Sequence, residues 1–174
     1  MKFLDLLKNR VYSKKFRELL YQSFPEETDF IEIIYKLADK GQADLITVTD
    51  NDEFVGLCAV IKINTDANYL LYFATCPEKR NKGLGVHILQ YIKSKYAENQ
   101  KLLLAIKKPA DNADASDINF RRQNFYLRNG FQKSDFEMPF SDITYLVLYI
   151  GEGIDNDFIT DFAAKILKLL TGNN

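Results

Sequence analysis

The chain has no tryptophan, a single histidine (His87) and only two cysteines, Cys58 and Cys76, in 174 residues. One histidine cannot build a histidine-based metal site. Two cysteines far apart leave a mixed Cys/His zinc site short of ligands, so no metal is expected. So few cysteines suit a reducing compartment. Long apolar runs are also missing. The longest, Tyr69 to Ala74 and Tyr145 to Ile150, are strand-length, whereas a membrane helix needs about 20 residues. The opening Met1-Lys2-Phe3-Leu4-Asp5 places an acid early and has no uninterrupted apolar core, unlike a signal peptide. Nor is there an excess of either charge: 23 Lys+Arg stand against 24 Asp+Glu. A nucleic-acid or membrane-surface partner, which would call for a basic footprint, is not expected. The composition implies a cytoplasmic protein. No repeat, low-complexity tract or Pro/Gly/Ser linker divides it, so residues 1–174 are expected to form one domain.

What is present is core material: 47% hydrophobic residues, with 13 Phe and 10 Tyr. Periodicity predicts a short strand at Lys2 to Leu7 and helices over Ser13 to Phe24 and Thr28 to Lys40, the latter carrying Phe30, Ile33, Ile34 and Leu37 at helical spacing. Strands follow at Ala43 to Thr49, Phe54 to Ile63 and Tyr69 to Cys76, separated by the polar turns Asp50 to Glu53 and Asn64 to Asn68. That is the pattern of an antiparallel meander, and the nearly all-apolar third strand belongs near the sheet centre. Next come a helix from about Gly83 with a stripe of Ile88, Leu89, Ile92 and Tyr96, a strand at Leu102 to Ile106, and a polar loop from Lys108 to Ile118. A helix from Asn119 to Asn129 stops at Gly130, and strands Phe131 to Glu137 and Ile143 to Ile150 read as a hairpin around Met138 to Asp142. The last helix, about Asp155 to Leu170, has Asp155 as its cap and one apolar stripe, whose residual surface would suit a homodimer as well as a monomer.

The segment with most chemical content is Cys76-Pro77-Glu78-Lys79-Arg80-Asn81-Lys82-Gly83-Leu84-Gly85-Val86. A buried strand ends, a short loop follows, and glycines open a helix. A helix start offers unpaired N–H groups and the positive end of the dipole, which suits phosphate. Lys79, Arg80 and Lys82 add local positive charge. The P-loop of nucleotide triphosphatases requires Lys and Ser/Thr after its last glycine, where this chain has Val86-His87. The dinucleotide fingerprint requires a third glycine, where this chain has Ile88, and an acid ending the next strand, where it has Ala105-Ile106-Lys107.

Arg80-Asn81-Lys82-Gly83-Leu84-Gly85 fits R/Q-x-x-G-x-G/A and so resembles the pyrophosphate loop of the GNAT superfamily of N-acetyltransferases. The lead-in Ala74 to Arg80 is similar to that family's strand-Pro-x-x-Arg segment. Phe125-Tyr126-Leu127-Arg128-Asn129-Gly130-Phe131 resembles its Y-x-x-x-G-F block. The resemblance spans roughly residues 40 to 150. It implies a GNAT-like α/β domain: a mixed central sheet with an antiparallel meander, a splayed parallel strand pair (Tyr69 to Cys76 beside Lys101 to Lys107) and flanking helices. It implies acetyl-coenzyme A as cosubstrate and an amine as acceptor. A bulge is expected to free backbone groups at Phe73, Ala74 and Thr75 for the pantetheine arm. Asn81, Lys82, Gly83, Leu84, Gly85 and Val86 are expected to cradle the pyrophosphate with help from Arg80. Tyr126 is expected to protonate the departing thiolate. Asn119 or Asn124 would contact the cosubstrate, Asn124 being preferred. The chain departs from the family pattern in having no acid on either central strand. A water chain, or a loop acid such as Glu137 or Asp117, would then accept the amine proton. The alternative is an acyl-coenzyme A sensor of the same fold, and beyond it an unrelated nucleotide-binding domain.

Overall fold

Local chemistry sets the element boundaries along most of the chain. The computed structural model describes residues 1–140 and 142–171. Strand β1 (Lys2–Asp5) leads through a short turn of helix at Arg10–Tyr12 into α1 (Ser13–Ser23). Pro25 breaks α1 and opens a three-residue 3-10 turn, Pro25–Glu27, that runs directly into α2 (Thr28–Asp39). Strands β2 (Ala43–Asp50), β3 (Glu53–Lys62) and β4 (Ala67–Thr75) form the meander. Asn51 and Asp52 both take left-handed backbones (φ 48° and 61°), as a two-residue hairpin turn between twisted strands requires. A 3-10 turn at Pro77–Lys79 then precedes α3 (Leu84–Tyr96), β5 (Lys101–Lys107), α4 (Ile118–Arg128), β6 (Gln132–Phe140), β7 (Ile143–Ile150) and α5 (Asn156–Thr171).

Among the described residues the strands make one mixed sheet in the order β1-β2-β3-β4-β5-β7-β6. Only β4 and β5 run parallel; the other neighbours are antiparallel. The closing hairpin enters with β7 against β5, leaving β6 at the edge. That position explains one departure from expectation. Strand β6 runs through Pro139 to Phe140 and shortens the anticipated turn, because an edge strand tolerates a residue without N–H. Strand β4 likewise starts two residues early: Asn68 is buried, and its amide donates to the Tyr96 carbonyl (3.1 Å) and to Gln100 Oε1 (2.7 Å).

Two cores lie on opposite faces of the sheet. On one, Phe16, Leu20, Ile31, Ile34, Ile159 and Phe162 of α1, α2 and α5 pack against Leu45, Leu57 and Leu103. On the other, Ile88, Leu89 and Ile92 of α3 and Tyr126 of α4 pack against Val55, Val60, Leu102 and Leu104. Successive residues of β5, Leu102, Leu103 and Leu104, thus enter alternate cores, as strand geometry dictates for a strand covered on both faces. Among the described residues, no helix is long and apolar enough to cross a membrane.

Candidate functional site

The site begins where β4 and β5 part. Their parallel pairing covers only Ala67↔Lys101, Asn68↔Leu102 and Tyr69↔Leu103. Beyond Tyr69, β4 follows β3 and β5 follows β7, so the two leave a wedge between them. The cause is a bulge on β4. Ala59 pairs with Tyr72 and Val60 with Leu70, so Leu71 is the extra residue. The anticipated bulge is therefore present, just ahead of the Phe73 to Thr75 groups that it was expected to free. One extra residue bends a strand and resets its alternation. Leu71 and Tyr72 accordingly both turn toward the α1/α2 core.

The phase of β4 after the bulge is set by the Cys76 N–H, which donates to the Val55 carbonyl at 2.9 Å. In an antiparallel pair the bonded side alternates. Ala74 is therefore tied to β3, while Phe73 and Thr75 turn their N–H and C=O groups toward the wedge. Arg80 Nε reaches one of these, the Thr75 carbonyl, at 3.4 Å. The wedge thus carries an open strand edge suited to an extended chain with amides of its own.

At the end of that edge lies the glycine loop. Asn81 (φ 60°) and Gly83 (φ 74°) both take left-handed backbones. The N–H groups of Asn81, Lys82, Gly83, Leu84 and Gly85 donate to no acceptor among the described residues, whereas those of Val86 and His87 turn back to the Gly83 carbonyl. Successive unpaired N–H groups around left-handed residues at a helix start form an anion-binding concavity. Phe73, Ala74, Thr75, Arg80, Asn81, Gly83, Leu84, Gly85, Val86 and Tyr126 line a single groove of about 1030 Å³. Lys82 and Asn124 do not line it. Lys79 lines it but is paired with Glu53 at 2.6 Å. His87 is exposed at the helix start, Nδ1 lying 3.2 Å from the Gly83 carbonyl oxygen. Cys76 is buried with Sγ against the Phe54 carbonyl, which argues for packing.

Helix α4 brings its own side chains to the wedge. Asp117 caps it, accepting from the N–H groups of Asn119 (2.7 Å) and Phe120 (2.8 Å). Asn119, Arg122 and Tyr126 then share the face that lines the wedge. Their spacing of three and four residues marks them as one helix face, and Asn124 does not share it. Tyr126 packs edge-on against Phe125 and Phe131, centroids 5.3 and 5.4 Å away. Its hydroxyl makes no hydrogen bond with a described residue. Burial pushes its phenol well above the ordinary range, so it remains protonated near neutral pH.

A second cavity of about 320 Å³ opens off the same wedge, lined by Leu70, Leu71, Leu104 and Ile106 from the diverging strands and by Phe24 to Glu27 from the turn before α2. Sequence reasoning missed its carboxylate, Glu27. Glu27 occupies the N-cap position of α2 without capping it, its side chain being directed elsewhere. Burial pushes its carboxyl up, opposed by the neighbouring Tyr72 hydroxyl and the Lys107 ammonium. The Tyr72 hydroxyl is buried beside that carboxylate, near enough to favour its charged form, yet makes no well-formed hydrogen bond with a described residue; Ser23 Oγ on the cavity wall likewise has no partner among the described residues. Of the acids anticipated for this work, Asp117 is engaged as a cap and Glu137 is paired with Lys108 at 2.7 Å; neither lines the cavity.

Comparison with known proteins gives consistent results. The family model described as an acetyltransferase (GNAT) domain matches residues 41–133, more than half of the chain. No curated protein sequence matches. Among solved structures, a Bacteroides thetaiotaomicron protein assigned to the GNAT family superposes with a TM-score of 0.81 at 22% identity, covering 100% of both chains. The aminoglycoside 6'-N-acetyltransferase from Enterococcus faecium gives 0.65 at 16%, over 86% of this chain and 96% of that one. A Bacillus subtilis acetyltransferase in complex with CoA gives 0.58 at 15%, over 79% and 91%. At these identities the likeness establishes a shared fold.

Proposed function

Because this chain belongs to the GNAT family of acetyltransferases, we propose that it moves the acetyl group of acetyl-coenzyme A onto an amine, by direct attack in a ternary complex, with all 174 residues acting as one domain. The observation that carries this reading is the run of unpaired N–H groups from Asn81 to Gly85 at the end of an open strand edge. A diphosphate matches the first feature, and the amides of a pantetheine arm match the second.

The chain's own groups take the following roles. Asn81 to Gly85 hold the diphosphate through backbone N–H, with Val86 lining the groove next to them and Arg80 beside it; the Lys82 side chain, outside the groove wall, adds only long-range charge. The Phe73 to Thr75 edge aligns the pantetheine arm, and a free N–H there polarises the thioester carbonyl. Asn119 contacts the arm from α4. Tyr126, held protonated by burial, donates to the departing thiolate. Acetyl-coenzyme A supplies the activated acyl group when bound. We read the protein as cytoplasmic, monomeric or homodimeric, and working without a metal, nucleic acid or membrane.

The absence of any acid on β4 and β5 favours a second reading, an acyl-coenzyme A sensor of the same fold. Calorimetric titration with acetyl-coenzyme A, repeated on Gly83→Asp, tests the shared premise. Micromolar binding that is lost in a correctly folded variant is expected. Equal binding by both proteins would displace the site, and no binding by the wild type would end both readings.

A further inference from the structure

The cavity beside the wedge has a charge pattern that selects among amines. Two acids line it. Glu26 is ion-paired with Lys107, so Glu27 is the lining carboxylate without an ion-pair partner among the described residues. Lys107 and Arg122 line the same cavity. Of its remaining walls, Phe24, Leu70, Leu71, Leu104 and Ile106 are apolar. With Glu26 and Lys107 paired, one free carboxylate and one free cation, Arg122, remain, so a polycation would bring several ammonium groups into a cavity with no negative charge left over to offset them, and like charges at close range repel. A monoamine with a compact apolar body sets one ammonium against Glu27 and its carbon skeleton against the apolar wall.

Resting on the acetyltransferase reading, we propose that this cavity takes a primary monoamine with a compact apolar body, and that Glu27 both holds its ammonium and accepts its proton. The place is one the family pattern does not supply here: a turn between two helices rather than a central strand. Its geometry is set by Pro25, which ends α1 and turns the chain, and by Phe24, whose ring packs 4.7 Å from that of Tyr72. Tyr72, Tyr145, Tyr69, Glu26, Lys107 and Arg122 are the titratable and charged groups that face Glu27. A carboxylate among tyrosines and apolar groups is a better proton acceptor than one in water.

The acceptor ammonium gives one proton to the Glu27 carboxylate. The amine lone pair forms the C–N bond, and the C–S bond breaks with its electron pair on sulfur. Tyr126 gives its proton to that sulfur and regains one from the acylated nitrogen. Glu27 releases its proton to water, so one proton leaves per turnover.

The test uses the full chain, 2-phenylethylamine as the apolar monoamine and spermidine as the polycation. Amine binding is measured calorimetrically without cosubstrate, turnover is measured between about pH 6 and 10, and coenzyme A binding is titrated separately. The wild type is expected to bind 2-phenylethylamine and to acetylate it with kcat/KM at least about tenfold above spermidine. Glu27→Gln is expected to weaken amine binding about tenfold and to lower kcat/KM by about 10²–10⁴-fold near neutral pH. The deficit should shrink toward pH 10, where the free amine exists without a base, and coenzyme A binding should not change. Wild-type amine binding and rate in Glu27→Gln, a preference for spermidine, or no amine binding by the wild type would each overturn the proposal. A wild type that binds the amine but not coenzyme A would overturn the acetyltransferase reading instead.

Discussion

Gly56 lies so close under β4 that a Cβ built on it would stand 2.7 Å from the Ala74 carbonyl oxygen. The contact is backbone against side chain, so no rotamer relieves it. Strand β4 must move if anything larger than hydrogen occupies the position. Ala74 lies between the two residues that carry the open edge, Phe73 and Thr75, so the glycine shapes a site it does not touch. Gly56→Ala is expected to lower unfolding free energy by about 1–3 kcal/mol and to weaken acetyl-coenzyme A binding as well. Urea denaturation and calorimetry on the same sample check both; full stability with full affinity would show that β4 yields freely.

Gly83 presents the opposite case. Nothing stands within 4 Å of a Cβ placed there, but its φ is +74°. Its constraint is therefore conformational. Gly83→Ala is expected to cost about 1–2 kcal/mol, and Gly83→Asn less, since asparagine accepts the left-handed region as Asn81 already does two residues earlier (φ 60°). Thermal melts of the two variants give the order directly, and equal losses would contradict it.

Much of this was legible in the sequence because it rests on short-range chemistry. Pro77 and Gly83 mark the loop, the period change after Gly41 marks the sheet, and Gly130 marks the end of α4. The rest depends on distant parts of the chain meeting. Leu71 is one apolar residue in an apolar run, and only its failure to pair with β3 identifies it as the bulge. The insertion of β7 between β5 and β6 leaves no local trace either. Glu27 sits in a three-residue turn whose position over the wedge is decided by packing between Phe24 and Tyr72. That Asn119, and not Asn124, shares a helix face with Tyr126 was, by contrast, available from helical spacing.

Tyr126→Phe removes an oxygen that bonds to no described residue, and leaves the contacts with Phe125 and Phe131. The melting temperature and acetyl-coenzyme A affinity are expected to stay near wild type, while kcat falls by about 10²-fold or more. An unchanged kcat would remove Tyr126 from proton transfer.

Asp44 ties β2 to α3. It accepts from the Tyr96 hydroxyl at 2.6 Å and from Lys62 Nζ at 2.7 Å, with Lys95 Nζ at 3.6 Å. Burial alone would raise its pKa, but the Lys62 and Tyr96 hydrogen bonds and the two lysine charges outweigh it and hold the carboxyl below its ordinary 3.8. A native pKa depressed below the unfolded one gives stability that is complete above about pH 4 and lost as pH falls through the native value. Urea melts from about pH 3 to 7 should show a falling acid limb in the wild type and a flatter one in Asp44→Asn. Equal slopes would show that other carboxylates govern it.

The parting of β4 and β5 after Tyr69 and Leu103 has a consequence for the molecule as a whole. A sheet normally ends at its two outer strands, but this one also ends in its middle. Whatever lies along that inner seam completes the backbone pairing of the protein, much as a missing strand would. Occupancy and folding are then one equilibrium: a ligand at 100 times its dissociation constant adds about 2.7 kcal/mol, and heat resistance becomes a direct gauge of how full the seam is.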